Sequence, residues 1–375
     1  MTLIWRDESW SRAARANRGS ALRFMLSRTG DAVSAFEHLV RATIQALAMA
    51  ARLQLTQLRP PGFVDLVDLR SLTARDLEPL LEEEVAAWRE ELEWQFDLSA
   101  SLVRRFVDLR ALTGSALIEH GKPTGYMYYV LEDNKALIGD LYLQRELRTV
   151  ERENMLLQAA VEAIAPNRQI NRIESQLLML QYDPARRLPL AAFGHAYERV
   201  FMRVDLREAD LGAGKLRRPA YIENWTDRYH DEAAHLIAAA YAGHIDSRIN
   251  DQYRSAMGAR RFLFNIVQFP GCGAFFRPAS YAAFEADTGK LFGISLASLV
   301  APESGHITQI CVSNAARGLG LGHELLRRSL ATLKEAGCKA ASLTVTAANA
   351  DAVALYERMG FRVARQFSAY AWEGF

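Results

Sequence analysis

Arg317-Gly318-Leu319-Gly320-Leu321-Gly322 follows the strand-like run His306-Ile-Thr-Gln-Ile-Cys-Val312 and opens an amphipathic helix. In that helix Leu325, Leu326, Leu330 and Leu333 recur at helical spacing, and Gly337 supplies a stop. Strand, glycine loop and helix in this order form a phosphate cradle. Glycines let the backbone turn with no side chain in the way, so several N–H groups converge on an anion at the positive helix end. A dinucleotide site would require Gly-x-Gly-x-x-Gly and an acidic residue about 20 positions later. Here the glycines alternate, and residues 338–348 contain no Asp or Glu. A nucleoside triphosphate loop would require Gly-Lys-Ser/Thr, whereas this one continues Gly322-His323-Glu324. Alone, the glycine run leaves the ligand open.

A second strand, Ser342-Leu-Thr-Val-Thr346, then runs into Asn349-Ala-Asp-Ala-Val-Ala-Leu-Tyr356-Glu-Arg-Met-Gly360-Phe361. The two linked motifs resemble the GNAT acetyltransferase superfamily. The family's Arg/Gln-x-x-Gly-x-Gly/Ala loop maps on Arg317, Gly320 and Gly322, and its Asn…Leu-Tyr-x-x-x-Gly-Phe signature on Asn349, Leu355, Tyr356, Gly360 and Phe361. The resemblance implies an α/β (α+β) fold with a mixed, mostly antiparallel sheet flanked by helices, and acetyl-CoA as co-substrate. Residues 317–323, with Gly318, Leu319, Leu321 and His323 completing the loop, are expected at the coenzyme A pyrophosphate. The main chain of Ile310, Cys311 and Val312 is expected to hold the pantetheine arm, with an N–H facing the thioester oxygen.

By the same resemblance Tyr356 is the general acid for the departing thiolate. It also fits a core position, because Ala352, Val353, Tyr356 and Met359 share a helical face. His306 stands where many relatives place a glutamate. An imidazole is chemically suited to take a proton from an ammonium near neutral pH, and equally suited to a structural hydrogen bond at a strand edge. Strand alternation puts Gln309 on the face opposite His306. Asn349 either orients the cofactor and the strand splay or caps the helix it opens. The stretch from Tyr241 to Tyr253 is dense in hydrogen-bonding groups. Tyr241, His244, Asp246 and Arg248 are its candidate acceptor-binding residues, and a solvated loop is the other reading.

The chain has 375 residues, 50% hydrophobic, with a formal net charge of +1. That suffices for two ordinary domains and gives no electrostatic reason to expect nucleic acid or an anionic membrane as partner. Cys272, Cys311 and Cys338 form neither a disulfide framework nor a metal-ligand spacing, so no metal is expected and a reducing cytoplasm fits best. The charge-free stretch 42–51 falls short of the ~20 residues that a membrane span needs. The arginines at 12, 15, 18, 23 and 28 imitate a transit peptide, but Asp7 and Glu8 argue against one.

The run Ile138-Gly-Asp-Leu-Tyr-Leu143 lies 169 positions before Ile307-Thr-Gln-Ile-Cys-Val312. In that register Arg148 falls on Arg317, and Leu156-Leu157 on Leu325-Leu326, so strand, loop and helix recur. The glycines do not. Glu151 replaces Gly320 and Glu153 replaces Gly322, setting two carboxylates where a diphosphate would lie. A helix beginning after Thr73, a hairpin around Gly121-Lys122 and a strand over 170–180 complete the first copy, which has no counterpart of the Asn349–Phe361 helix. The expected organisation is an N-terminal extension (1–62, with a helix over 31–58), a degenerate GNAT-like domain (63–208) and a catalytic GNAT domain (209–375). The expected activity is direct acetyl transfer from acetyl-CoA to a primary amine, favouring a small molecule. The competing expectation is a non-catalytic acyl-CoA sensor.

Overall fold

The computed structural model describes residues 64–212, 216–269 and 271–375. The N-terminal extension and its expected helix lie outside the described residues. The first half runs β1 (Val64–Asp68), α1 (Ala74–Leu92), α2 (Asp97–Asp108), β2 (Thr113–Glu119), β3 (Lys122–Glu132), β4 (Lys135–Leu143), α3 (Val150–Ile164), β5 (Arg172–Gln176) and β6 (Gly194–Asp205). The second half runs β7 (Ala220–Asn224), α4 (His230–Ala240), α5 (Ala256–Gln268), β8 (Ala274–Phe275), β9 (Tyr281–Glu285), β10 (Leu291–Ala301), β11 (Ser304–Val312), α6 (Leu321–Glu335), β12 (Ala340–Thr346), α7 (Ala350–Arg358) and β13 (Arg362–Glu373). β3 and β10, like β4 and β11, begin and end 169 residues apart. The repeat is therefore structural. β5 is shorter than the expected strand over 170–180, because Leu177 to Phe193 form turns and loop in place of a helix.

Local chemistry explains the boundaries. Thr73 caps α1 through a capping box with Asp76, and Leu77, Leu81 and Trp88 turn inward. In α6, Leu325, Leu326, Leu330 and Leu333 are fully buried, and Gly337 ends the helix at φ 95°. Each half lays helices on both faces of its strands: α1 and α2 opposite α3 in the first, α4 and α5 opposite α6 and α7 in the second.

The strands form one 13-stranded sheet in the order β1-β2-β3-β4-β5-β13-β6-β12-β11-β10-β9-β7, with β8 on β10. The two halves have exchanged their last strands. β13 pairs with β5, while β6 pairs with β12, both antiparallel. Arg172 faces Glu373 in one ladder, and its repeat equivalent Ala341 faces Val204 in the other, so the exchange is symmetric to the residue. The break near residue 208 separates the repeats along the chain; in space, a strand from each side completes the other.

Candidate active site

β11 and β12 run parallel only from Ser304/Ala340 to Ile307/Leu343, then part. On its other side β11 stays bonded to β10 up to Val312, so residues 308–312 keep one backbone edge directed into the gap. A bulge sits at Thr308, because Leu296 pairs with Gln309 and Ala297 with Ile307. The extra residue reverses the alternation beyond it. His306 and Gln309 therefore share a face, which corrects the expectation from strict period two. Gln309 lies between tyrosines, accepting from Tyr253 Oη at 3.3 Å and donating to Tyr241 Oη at 3.1 Å.

The gap opens into a cavity of about 710 Å³. At one end lies the glycine loop. Gly318 (φ 73°) and Gly320 (φ 84°) adopt the left-handed conformation that favours glycine, and Gly320 is the N-cap of α6. No side chain caps α6, so its first N–H groups remain available to an anion. His323, on the first turn, has a buried Nδ1 with no hydrogen-bond partner. Arg317 donates to the Ala240 carbonyl at 3.1 Å, tying the loop to the end of α4. These features fit a diphosphate. Leu319 does not line the cavity; its carbonyl accepts from the Arg217 amide at 3.0 Å.

Beyond the loop the wall includes Ile310, Cys311, Val312, Asn349 and Tyr356. Asn349 caps α7 by accepting from the Ala352 amide at 3.4 Å. Burial pushes the Cys311 thiol up to about 12, which keeps it protonated and unreactive. Tyr356 is buried, and its phenol is held well above its ordinary range by desolvation and then by the Asp246 charge, with Arg199 opposing. Asp246 accepts from Thr346 Oγ1 and lies 3.6 Å from His244 Nδ1. Tyr241, His244 and Asp246 all face the cavity.

Two expected site residues are corrected. Arg248 is exposed and outside the cavity, and contributes only its carbonyl, to Arg172 at 2.5 Å. His306 does line the cavity, but it is buried between Trp94 (ring centroids 4.8 Å, edge-on) and Phe201 (6.4 Å, stacked), with Nδ1 2.9 Å from Ser342 Oγ. Burial lowers it to about 3, so at neutral pH its imidazole is neutral and a very weak base. The structure favours the structural-hydrogen-bond reading of His306.

Sequence reasoning missed the share of this cavity that comes from the first half. Trp94, Gln176, Leu178 and Arg199 all line it. The first half also grips the stretch from Tyr241 to Tyr253 from behind. Arg172 donates to the Arg248 carbonyl, Glu174 accepts from the Asp251 amide at 2.8 Å, and the Lys135 ammonium pairs with Asp251. The only advance sign of Arg199 was alternation, which puts it on the same strand face as the apolar Phe201.

The architecture defines a class: two copies of one α/β unit fused through exchanged strands, each with a parallel pair that parts after four residues, and with the glycine loop present in the second copy alone. Known proteins agree. Residues 249–361 match the model of the acetyltransferase (GNAT) family. A mycothiol acetyltransferase of Corynebacterium glutamicum is 36% identical over 84 residues, 22% of this chain and 29% of that protein. The N-alpha-acetyltransferase MAK3 of Arabidopsis thaliana is 34% identical over 70 residues, 19% of this chain and 37% of that protein. The chain thus spans about a third of the length of these curated relatives. The GCN5-related N-acetyltransferase from Sphaerobacter thermophilus superposes with a TM-score of 0.58 over 84% of this chain and 97% of its own, at 15% identity. A tandem GNAT protein from the clavulanic acid biosynthesis pathway gives 0.51 over 84% and 99%, at 19% identity. These two likenesses are of fold. Residues 249–361 thus match the GNAT acetyltransferase family, and the chain shares its fold with a tandem GNAT protein.

Proposed function

We propose that the second half is an acetyl-CoA-dependent N-acetyltransferase acting on the primary amine of a small molecule, by direct attack in a ternary complex. The observation that carries this reading is the continuous cavity from the uncapped helix end, through the gap between β11 and β12, to Tyr356 and Asp246. Its volume is that of a small-ligand site, and residues of both halves line it. In this reading the glycine loop holds the diphosphate, and residues 310–312 hold the pantetheine arm.

Asp246 takes the place expected of His306 and draws a proton from the acceptor ammonium. The freed amine attacks the thioester carbon, and the developing oxyanion accepts from a backbone N–H of β11. Collapse breaks the carbon–sulfur bond, and the thiolate takes its proton from Tyr356. Burial that raises the phenol also raises a thiolate's affinity for a proton, so the transfer stays matched within the same dry cavity.

The test is release of free thiol from acetyl-CoA across a panel of amines. Turnover with at least one amine is expected. Tyr356→Phe lowers kcat by about 10²–10⁴-fold while acetyl-CoA affinity stays within about twofold. Tight acetyl-CoA binding with no turnover of any amine would instead establish the acyl-CoA sensor.

A further inference from the structure

We propose that the acceptor carries a carboxylate close to its amine, and that Arg199, on the strand donated by the first half, binds that carboxylate. This deepens the transferase reading and rests on it. Four cations in the described residues are more than nine-tenths buried: Lys135, Arg172, Arg186 and Arg199. Three are neutralised. Lys135 pairs with Glu174 and Asp251, Arg172 with Glu174 and Glu373, and Arg186 with Glu153. Arg199 has no carboxylate among the described residues. It donates to Thr344 Oγ1 at 3.3 Å, its carbon Cζ stands 6.0 Å from the Phe367 ring centroid, and its buried Nε has no partner.

A desolvated guanidinium held by one hydroxyl is unfavourable unless an anion completes it. The open space beside Arg199 is the cavity itself. Asp246 faces the same space, and both charges reach the Tyr356 phenol, one raising its proton affinity and the other lowering it. An anion and a cation set around the proton donor complement a zwitterion, with its ammonium toward Asp246 and its carboxylate toward Arg199. The planar fork of a guanidinium suits a carboxylate. Coenzyme A does not supply this anion in our assignment. Arg199 pairs across from Thr346 on β12, and so stands two strands, roughly 10 Å, from β11, which leads into the glycine loop.

The experiment compares amino acids with their amides, which keep the amine and remove the charge. Thiol release is measured for each pair, and calorimetry on the CoA-saturated protein follows binding of the matching N-acetyl amino acids and N-acetyl amino acid amides. At least one acid is expected to exceed its amide by about 10- to 100-fold, the range of a charge-assisted hydrogen bond. Arg199→Gln should erase that preference while acetyl-CoA affinity is unchanged, and Arg199→Lys should restore part of it. Equal loss for acids and amides, or weakened acetyl-CoA binding, would overturn the proposal. So would acids and amides that behave alike in the unsubstituted protein. If no amine turns over but N-acetyl acids still bind more tightly than their amides, Arg199 keeps this role and the transfer reading falls.

Discussion

The two halves share strand, bulge, loop and helix, yet only one keeps a place for an anion. In both, the inner parallel pair parts after four residues, at Ile138/Ser175 in the first copy and Ile307/Leu343 in the second. Both carry an extra residue in the same strand, Gly139 and Thr308. What differs is the helix entrance. α6 starts on a left-handed glycine with no side-chain cap, whereas α3 is capped by Thr149 and carries Glu151 and Glu153 in its first turn. The Glu153 carboxylate turns inward, accepting from the Gln181 amide at 2.9 Å and from Arg186 at 2.5 Å. The Arg186 comes from the loop that replaced the α7 helix. The first copy therefore satisfies internally the positive helix end that the second leaves uncapped, and its Lys135, Arg172 and Glu174 hold residues 248–251 of the second half.

Gly320→Glu puts the first copy's choice into the second and should have the largest effect. A side chain at φ 84° strains the turn, and a carboxylate beside the expected diphosphate costs several kcal/mol. Thiol release should fall by about a thousandfold or more. The thermal stabilisation that saturating acetyl-CoA gives, about 2.7 kcal/mol at a hundred times Kd, should vanish. An unchanged thermal shift would show that the loop is not where the cofactor is held.

Much of this contrast is legible in sequence, because it is local. The alternating glycines, the leucines of α6, the Asn349 cap and the two substituting glutamates are all read within a few residues of one another. Three features are not local. Strand exchange is invisible because nothing local to β6 or β13 records which half supplies its partner strands. The bulge at Thr308 leaves no mark on periodicity, yet it moves Gln309 to the face of His306. The fate of His306 depends on Trp94, more than 200 residues earlier, whose ring and indole N–H close over it and Ser342. Its chemistry was set by contacts that no spacing rule contains.

Putting glycine into the first copy tests whether the missing anion cradle there is more than two residues deep. In Glu153→Gly the Arg186 guanidinium loses its carboxylate, although both side chains are about 1% exposed in the pair. Removing one partner of a buried pair costs about 3–5 kcal/mol, so the melting temperature should drop by several degrees. No second coenzyme A site should appear by calorimetric stoichiometry, because Arg186 and the loop behind it still occupy the entrance. A gain to two equivalents would show that the carboxylates alone had closed it.

The smallest effect belongs to the position that matches Gln309. There the first copy has Asp140, buried against Glu84, which accepts from Tyr126 Oη at 2.6 Å and from Trp88 Nε1 at 3.2 Å. Burial raises Asp140 to about 6, and burial together with the Asp140 charge raises Glu84 as well. A carboxyl whose folded pKa exceeds its unfolded value of about 3.9 binds more protons when folded, so its contribution to stability is lost as pH rises from about 4 to about 6. Asp140→Asn removes that titration and keeps a polar partner for Glu84. At pH 7 the variant should be more stable by about 3 kcal/mol, and at pH 4 the gain should all but disappear. Denaturant unfolding at both pH values reads the difference. A gain equal at both would mean that the substitution acts through packing, and that folding does not shift the Asp140 carboxyl.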